Sequence, residues 1–204
     1  MPFSTTALDQ SLNAVTGGTY TSLAAYASLH SSYSGTGASE LAGGSYAREA
    51  VTWNSAAGGT KTSASVAGTY SIYAGGTVAF IGLWSTSSGG SFGGMGPNGG
   101  ATQYGFTSTA AAPVVFTAPF SAYTNGQTVV LFDSAGAVIS PDFTVGQVYY
   151  VTNAAGATFQ LAATPNGAAV NSATVGAGIV QGITVESYGT SGTFTLSGAT
   201  LSEI

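Results

Sequence analysis

Glycine pairs, Asn-Gly steps and prolines punctuate this sequence at intervals of about ten residues from Gly17 onward. Intervals that short leave little room for helices and suit strands of ordinary length. Short strands with regular turn signals build a sandwich or a barrel. Residues 4–15 are the exception. Ser4 is a fit N-cap, Ala7, Leu8, Leu12 and Val15 recur at helical spacing, and Gly17-Gly18 ends the run. A helix that short needs tertiary packing or a partner chain to persist.

Beyond it the sequence reads as strands at Tyr26 to Ser31, Tyr46 to Trp53, Lys61 to Val66 and Thr69 to Tyr73. Thr77 to Trp84 is apolar on both faces, which suits a central strand. Ser91 to Met95 and Gln103 to Thr107 flank a Gly-Pro-Asn-Gly-Gly loop. Around Ala110-Ala-Ala-Pro113 the texture changes. Gln127 to Phe132, Gln147 to Asn153 and Thr158 to Ala162 read as strands of a separate small β unit, with turns at Asn125-Gly126, Ala155-Gly156 and Asn166-Gly167. Near the end Phe194 and Leu196 alternate with Thr193 and Thr195, in the style of the first strands.

Charge bounds the chemistry. The chain has two cations, Arg48 and Lys61, and seven carboxylates, so that 4% of its 204 residues are charged against about 25% in a typical domain. Two cations and a net charge of −5 release few counterions from a phosphate backbone, which argues against nucleic-acid binding. There is no cysteine, hence no disulfide framework and no thiolate metal site. No apolar run approaches the ~20 residues of a membrane span, and the N-terminus lacks the basic and apolar segments of a signal peptide. An apolar fraction of 44% with 11% aromatics is the composition of a folded chain.

Few residues remain for a site. His30 is the sole histidine; on a strand it reads as a satisfied polar residue rather than a general base. Glu40 and Glu49 are the nearest carboxylate pair, yet Arg48 stands next to Glu49, and an ion pair of Arg48 with Glu40 is the plain expectation. Asp133 and Asp142 flank a loop with Ser134 and Ser140, without the regular spacing of a calcium loop. The Gly-rich stretch 89–100 has no lysine near it, so it reads as a surface loop rather than a phosphate cradle. Tyrosines and tryptophans fill small sandwiches, anchor subunit interfaces and stack on sugars. Among them Tyr149, Tyr150 and Tyr123 are the candidates for an interface or a glycan contact. No catalytic residue, metal or cofactor is expected.

The segments Ser28-Leu-His30, Gly37-Ala-Ser-Glu40, Gly43-Gly-Ser-Tyr-Ala-Arg48 and Trp53, then Ala74-Gly-Gly-Thr-Val-Ala-Phe-Ile-Gly-Leu-Trp84 and Gly192-Thr-Phe-Thr-Leu-Ser-Gly-Ala-Thr-Leu201, resemble a family of small bacteriophage virion proteins described as tail-fibre-like or minor structural proteins. Thr144 to Asn153 and Thr158 to Val170 are similar to a β module inserted in several phage structural proteins. The resemblance implies a non-enzymatic structural protein on the virion surface, either a head decoration or a tail component, made in the host cytoplasm. Its partners would be other virion proteins and further copies of itself. The alternative is a carbohydrate-binding adhesin module touching host glycans. The fold expected is all-β: a jelly-roll-like sandwich of residues 1–112 plus 184–204, led by the short helix and interrupted by an inserted small β-barrel or Ig-like module at 113–183.

Overall fold

The structure is a computed structural model and describes residues 22–55, 57, 60–134 and 136–202. The helix expected over residues 4–15 lies outside the described residues. Those described are all-β, with sixteen strands and antiparallel pairing throughout.

Two compact units divide the chain: residues 1–98 with 185–204, and residues 99–184. In the first, β1 (Tyr26–His30), β2 (Glu49–Trp53), β3 (Thr60–Val66), β6 (Phe80–Trp84), β7 (Phe92–Pro97) and β16 (Thr200–Ser202) form one six-stranded sheet in the order β16-β3-β2-β1-β6-β7. Two ladders accompany it, β4 (Tyr70–Ile72) with β15 (Gly192–Phe194) and β5 (Thr77–Val78) with β14 (Glu186–Ser187). The sandwich expected of this unit thus takes the form of a sheet and two ladders over a single core. Ala27, Leu29, Val51, Ile81 and Leu83 from the sheet pack with Tyr70, Ile72, Val78 and Phe194 from the ladders. Burying side chains of this kind stabilises by roughly 1.5–3 kcal/mol each.

The second unit is a closed six-stranded barrel. It runs β10 (Thr128–Phe132), β11 (Val148–Ala155), β12 (Thr158–Ala162), β9 (Phe116–Thr117), β8 (Gln103–Ser108) and β13 (Gly176–Gly182), with β13 returning to β10. Of the two modules expected, barrel or Ig-like sandwich, it is the barrel. Val129, Leu131, Tyr149, Val151, Phe159 and Leu161 alternate along their strands and point inward. Aromatic rings fill the narrow interior: Phe116 stacks on Phe159 with centroids 5.5 Å apart, and Phe106 and Phe143 sit 5.2 and 5.1 Å from it.

The unit boundary falls at Gly99, ahead of the Ala-Ala-Ala-Pro segment. β8, expected among the outer strands, is a barrel stave because its whole length pairs with β13 and its end pairs with β9. Each unit brings its two chain ends together. In the first, Asn98 Nδ2 donates to Glu186 Oε1 at 3.3 Å; in the barrel, Gln181 Nε2 donates to the Ala101 carbonyl at 2.8 Å. Adjacent ends are what an insertion between two strands requires. Within residues 89–100 the strand expected at Ser91 to Met95 is present as β7 (Phe92–Pro97), paired with β6 from Phe80 to Trp84, so the stretch is not one continuous surface loop.

Candidate functional site

Four of the segments that carry the family likeness, Ser28–His30, Gly37–Glu40, Gly43–Arg48 and the strand ending at Trp84, converge on one place. β1 and β6 set Tyr26 to His30 opposite Trp84 to Phe80, with Ser28 directly across from Gly82. Glu40 forms an isolated bridge to His30, and Arg48 precedes β2. Arg48 Nε and Nη2 donate to the two Glu40 carboxylate oxygens at 2.8 and 2.7 Å, a bidentate pair whose side chains are only 9% and 20% exposed. Nη1 donates to the carbonyls of Thr86 and Gly89 at 3.1 and 2.7 Å, tying down the loop between β6 and β7. The guanidinium also covers the face of Trp84, a cation–π contact.

Around this pair the polar groups are satisfied in sequence. The Trp84 indole N–H donates to Ser28 Oγ at 2.9 Å, and Ser28 Oγ lies 2.7 Å from His30 Nε2. His30 Nδ1 is 3.1 Å from the Ala38 carbonyl. A carbonyl only accepts, so Nδ1 carries the proton, and in the neutral ring Nε2 accepts from the serine hydroxyl. Tyr46 receives the Leu29 N–H at 2.9 Å and donates to Glu40 Oε1 at 3.2 Å. Burial lowers the His30 pKa below its usual value, against the Ala38 hydrogen bond and the Glu40 charge. It also pushes the Tyr46 phenol well above its ordinary range.

This Ser–His pair has the spacing of a hydroxyl activated by a base, but no substrate reaches it. His30 and Ser28 are fully buried. A Cβ placed on Gly82 would lie 2.5 Å from His30 Nε2 and 2.6 Å from Ser28 Oγ, so the β6 backbone itself covers the pair. The position facing Nδ1 is a carbonyl, not the carboxylate of a triad. Among the described residues no buried side-chain nitrogen or oxygen lacks a hydrogen-bond partner. These groups are committed to the scaffold.

The other sequence candidates are dispersed. Tyr149 is corrected from a contact residue to a core residue: it is 2% exposed, its ring packs on Phe143, and its hydroxyl accepts the Thr144 N–H at 2.8 Å. Strand alternation sends Tyr150 to the opposite face, where it is partly exposed. Tyr123 is half-buried with its ring edge-on to Phe159 and Tyr104, and burial raises its phenol to about 12. Asp133 accepts the Ile139 N–H within its own loop at 2.9 Å.

Two open depressions lie on the surface. A groove of about 280 Å³ at one barrel end is lined by Ala101, Tyr123, Gln127, Thr128 and Thr184. Another, of about 460 Å³, belongs to the first unit and is lined by Ser45, Ser71, Ile72, Tyr73, Ser191 and Thr193. Tyr73 is 40% exposed. Neither contains a charged residue. Sequence reasoning missed the second groove because its hydroxyls come from three distant segments.

Residues 2–101 match the family model for Podophage GP4 fiber I protein gp80. The match supports a phage virion protein of fibre-like kind. Ser28, His30, Glu40, Tyr46, Arg48, Gly82 and Trp84 all fall inside the matched stretch, whereas the barrel lies almost wholly beyond it. Comparisons with curated proteins and with solved structures give no match. No helix among the described residues is long and apolar enough to cross a membrane.

Proposed function

We propose that the chain is a non-enzymatic structural protein on the outer surface of a bacteriophage particle, carried on the tail as a fibre-type component rather than on the head as a decoration. The single observation that carries this reading is the match of residues 2–101 to a fibre protein. The chemistry agrees with it. The sole histidine and the Arg48–Glu40 pair are engaged in holding strands and one loop together. The surface is made of short neutral side chains, which lose little entropy on packing into an assembly. With a net charge of −5 over 204 residues, repulsion between identical copies is small, which favours a homo-oligomer.

Gold-labelled antibody against the chain, applied to intact particles in the electron microscope, tests the placement. Label on the tail supports it; label distributed over the head, or none, refutes it. A second reading, contact with a host glycan, draws on the groove at Tyr73. Its one partly exposed ring and four flanking hydroxyls make an uncharged surface suited to a neutral sugar. Titration with host-derived oligosaccharides against wild type and Tyr73→Ala decides that reading, which fails if both give the same response.

A further inference from the structure

We propose that the groove on the β4–β15 ladder is a site for a neutral hexopyranose, stacked by its C–H face on Tyr73 and held at its hydroxyls by Ser45, Ser71, Ser191 and Thr193, and that it is closed to acidic sugars; this deepens the glycan reading above and rests on it. Ile72 and Phe194 are buried in the core of the first unit, so strand alternation turns their neighbours Ser71, Tyr73 and Thr193 outward. Thr193 lies directly across from Ser71, and Ser191 and Tyr73 follow one residue beyond the next pair, Gly192 with Ile72. Ser45 joins them from the loop before β2. None of these five hydroxyls is hydrogen-bonded to another described residue. The groove at the barrel end differs. There Thr128 Oγ1 donates to the Ile183 carbonyl, Gln127 Oε1 accepts the Thr124 N–H, and the Tyr123 hydroxyl donates to the Val180 carbonyl.

A pyranose presents an apolar C–H face and a rim of hydroxyls that both donate and accept. Tyr73, 40% exposed, offers the electron-rich face of its ring to the first, and serine and threonine hydroxyls donate or accept as the second requires. At about 460 Å³ the groove falls in the range of small-molecule sites, about 300–1,000 Å³. The ladder is held in shape before anything binds. A Cβ on Gly192 would lie 2.9 Å from the Tyr188 ring, and the Tyr188 hydroxyl is shared between Glu186 Oε2 at 3.2 Å and the Thr193 carbonyl at 3.4 Å. The Gly75 N–H donates to the Tyr188 carbonyl at 2.6 Å, which fixes the turn after Tyr73. A preorganised site loses little freedom on binding. The lack of charge sets the sugar class. Residues 41–47, 67–84 and 187–202 contain no charged residue. An acidic sugar would give up the hydration of its carboxylate with no cation to receive it, and the net charge of −5 opposes its approach.

The test is an amide NMR titration of the whole protein with methyl β-D-glucopyranoside and methyl β-D-galactopyranoside, each beside its uronate, which differs only by a carboxylate at C6. The preferred neutral sugar should bind with a Kd on the order of 1 mM, weak because the groove is open. It should shift the amides of residues 44–45, 71–74 and 191–193, and its uronate should bind at least about tenfold more weakly. Tyr73→Phe keeps the ring and should stay within about threefold of wild type, whereas Tyr73→Ala should lose at least about tenfold. Thr193→Val keeps the shape, removes one hydroxyl and should lose about three- to tenfold. The shift map and Thr193→Val carry the test if Tyr73→Ala melts early. No shifts with either neutral sugar, shifts centred elsewhere, equal binding of the uronate, or full binding by a folded Tyr73→Ala each overturn the proposal. Host-derived oligosaccharides that bind through Tyr73 when neither neutral sugar does would refute this sugar class and leave the glycan reading standing. A response to those oligosaccharides that is the same in wild type and Tyr73→Ala ends both.

Discussion

The guanidinium carbon of Arg48 stands 3.6 Å from the centre of the Trp84 ring, while two of its nitrogens hold Glu40 and a third holds two loop carbonyls. One side chain therefore joins β2, the bridge beside His30, the end of β6 and the loop that follows. Arg48→Ala should destabilise the first unit by about 3 kcal/mol, because it leaves a largely buried carboxylate unpaired. Arg48→Lys should recover only part of this, since an ammonium cannot make the fork to the carboxylate. Urea unfolding with an unchanged slope measures both. A shift under about 0.5 kcal/mol for Arg48→Ala would class the pair with ordinary surface salt bridges.

His30 makes stability pH-dependent in a defined direction. Burial holds its folded pKa below 6.5, so below pH 6.5 the unfolded chain binds a proton that the folded chain does not. Stability is therefore fully present above that pH and falls as the pH drops toward the folded pKa, with a slope no steeper than about 1.4 kcal/mol per pH unit. Carboxylates add their own acid sensitivity, so the informative quantity is wild type minus His30→Gln between pH 7 and pH 5. A difference that stays constant over that window contradicts a buried neutral imidazole.

Gly82 and Gly105 make a matched pair of tests. A Cβ at Gly82 would press into His30 and Ser28, while one at Gly105 would meet nothing within 4 Å. Gly82→Ala should therefore cost about 1–3 kcal/mol and Gly105→Ala should be close to neutral. Thermal unfolding of the two variants reads the contrast. Equal effects would mean that the network does not need the bare backbone at Gly82.

Much of this was legible in the residues. Turn signals mark the ends of β1, β3, β10, β11 and β12; β11 and most of β12 bury alternate residues and so carry a two-residue period, whereas β1 and β10 are buried on both faces and β3 is largely exposed. β13 was not legible. Its glycines lack the side chains that signal a strand, and they are there for clearance: a Cβ on Gly178 would lie 2.4 Å from the Phe132 carbonyl and 3.2 Å from Phe106. Without β13 the sequence offers no partner for β8, so the change of texture at residue 113 is its boundary signal while the second unit begins at Gly99. Arg48 and Glu40 could be paired from charge scarcity alone. Their link to Trp84 and to the Ser28–His30 pair required the register of β1 against β6.

If the barrel is an inserted, self-contained domain, then joining Asn98 to Val185 and omitting residues 99–184 should leave the first unit folded. The hydrogen bond from Asn98 to Glu186 shows that the two ends are near enough for a short connection. Residues 99–184 alone should also fold, since every barrel stave lies within them. Heteronuclear NMR of both pieces measures this. Collapse of the outer piece alone would mean that the insertion supports its host.

The proposed fibre-type role on a phage particle is a statement about copy number. Quantitative mass spectrometry of purified particles, with the major capsid protein as the internal reference, tests it most directly. A fibre-type component is present in every particle at far fewer copies than the capsid protein. A copy number that tracks the capsid protein would make it a head component, and its absence from particles would rule out a virion role altogether.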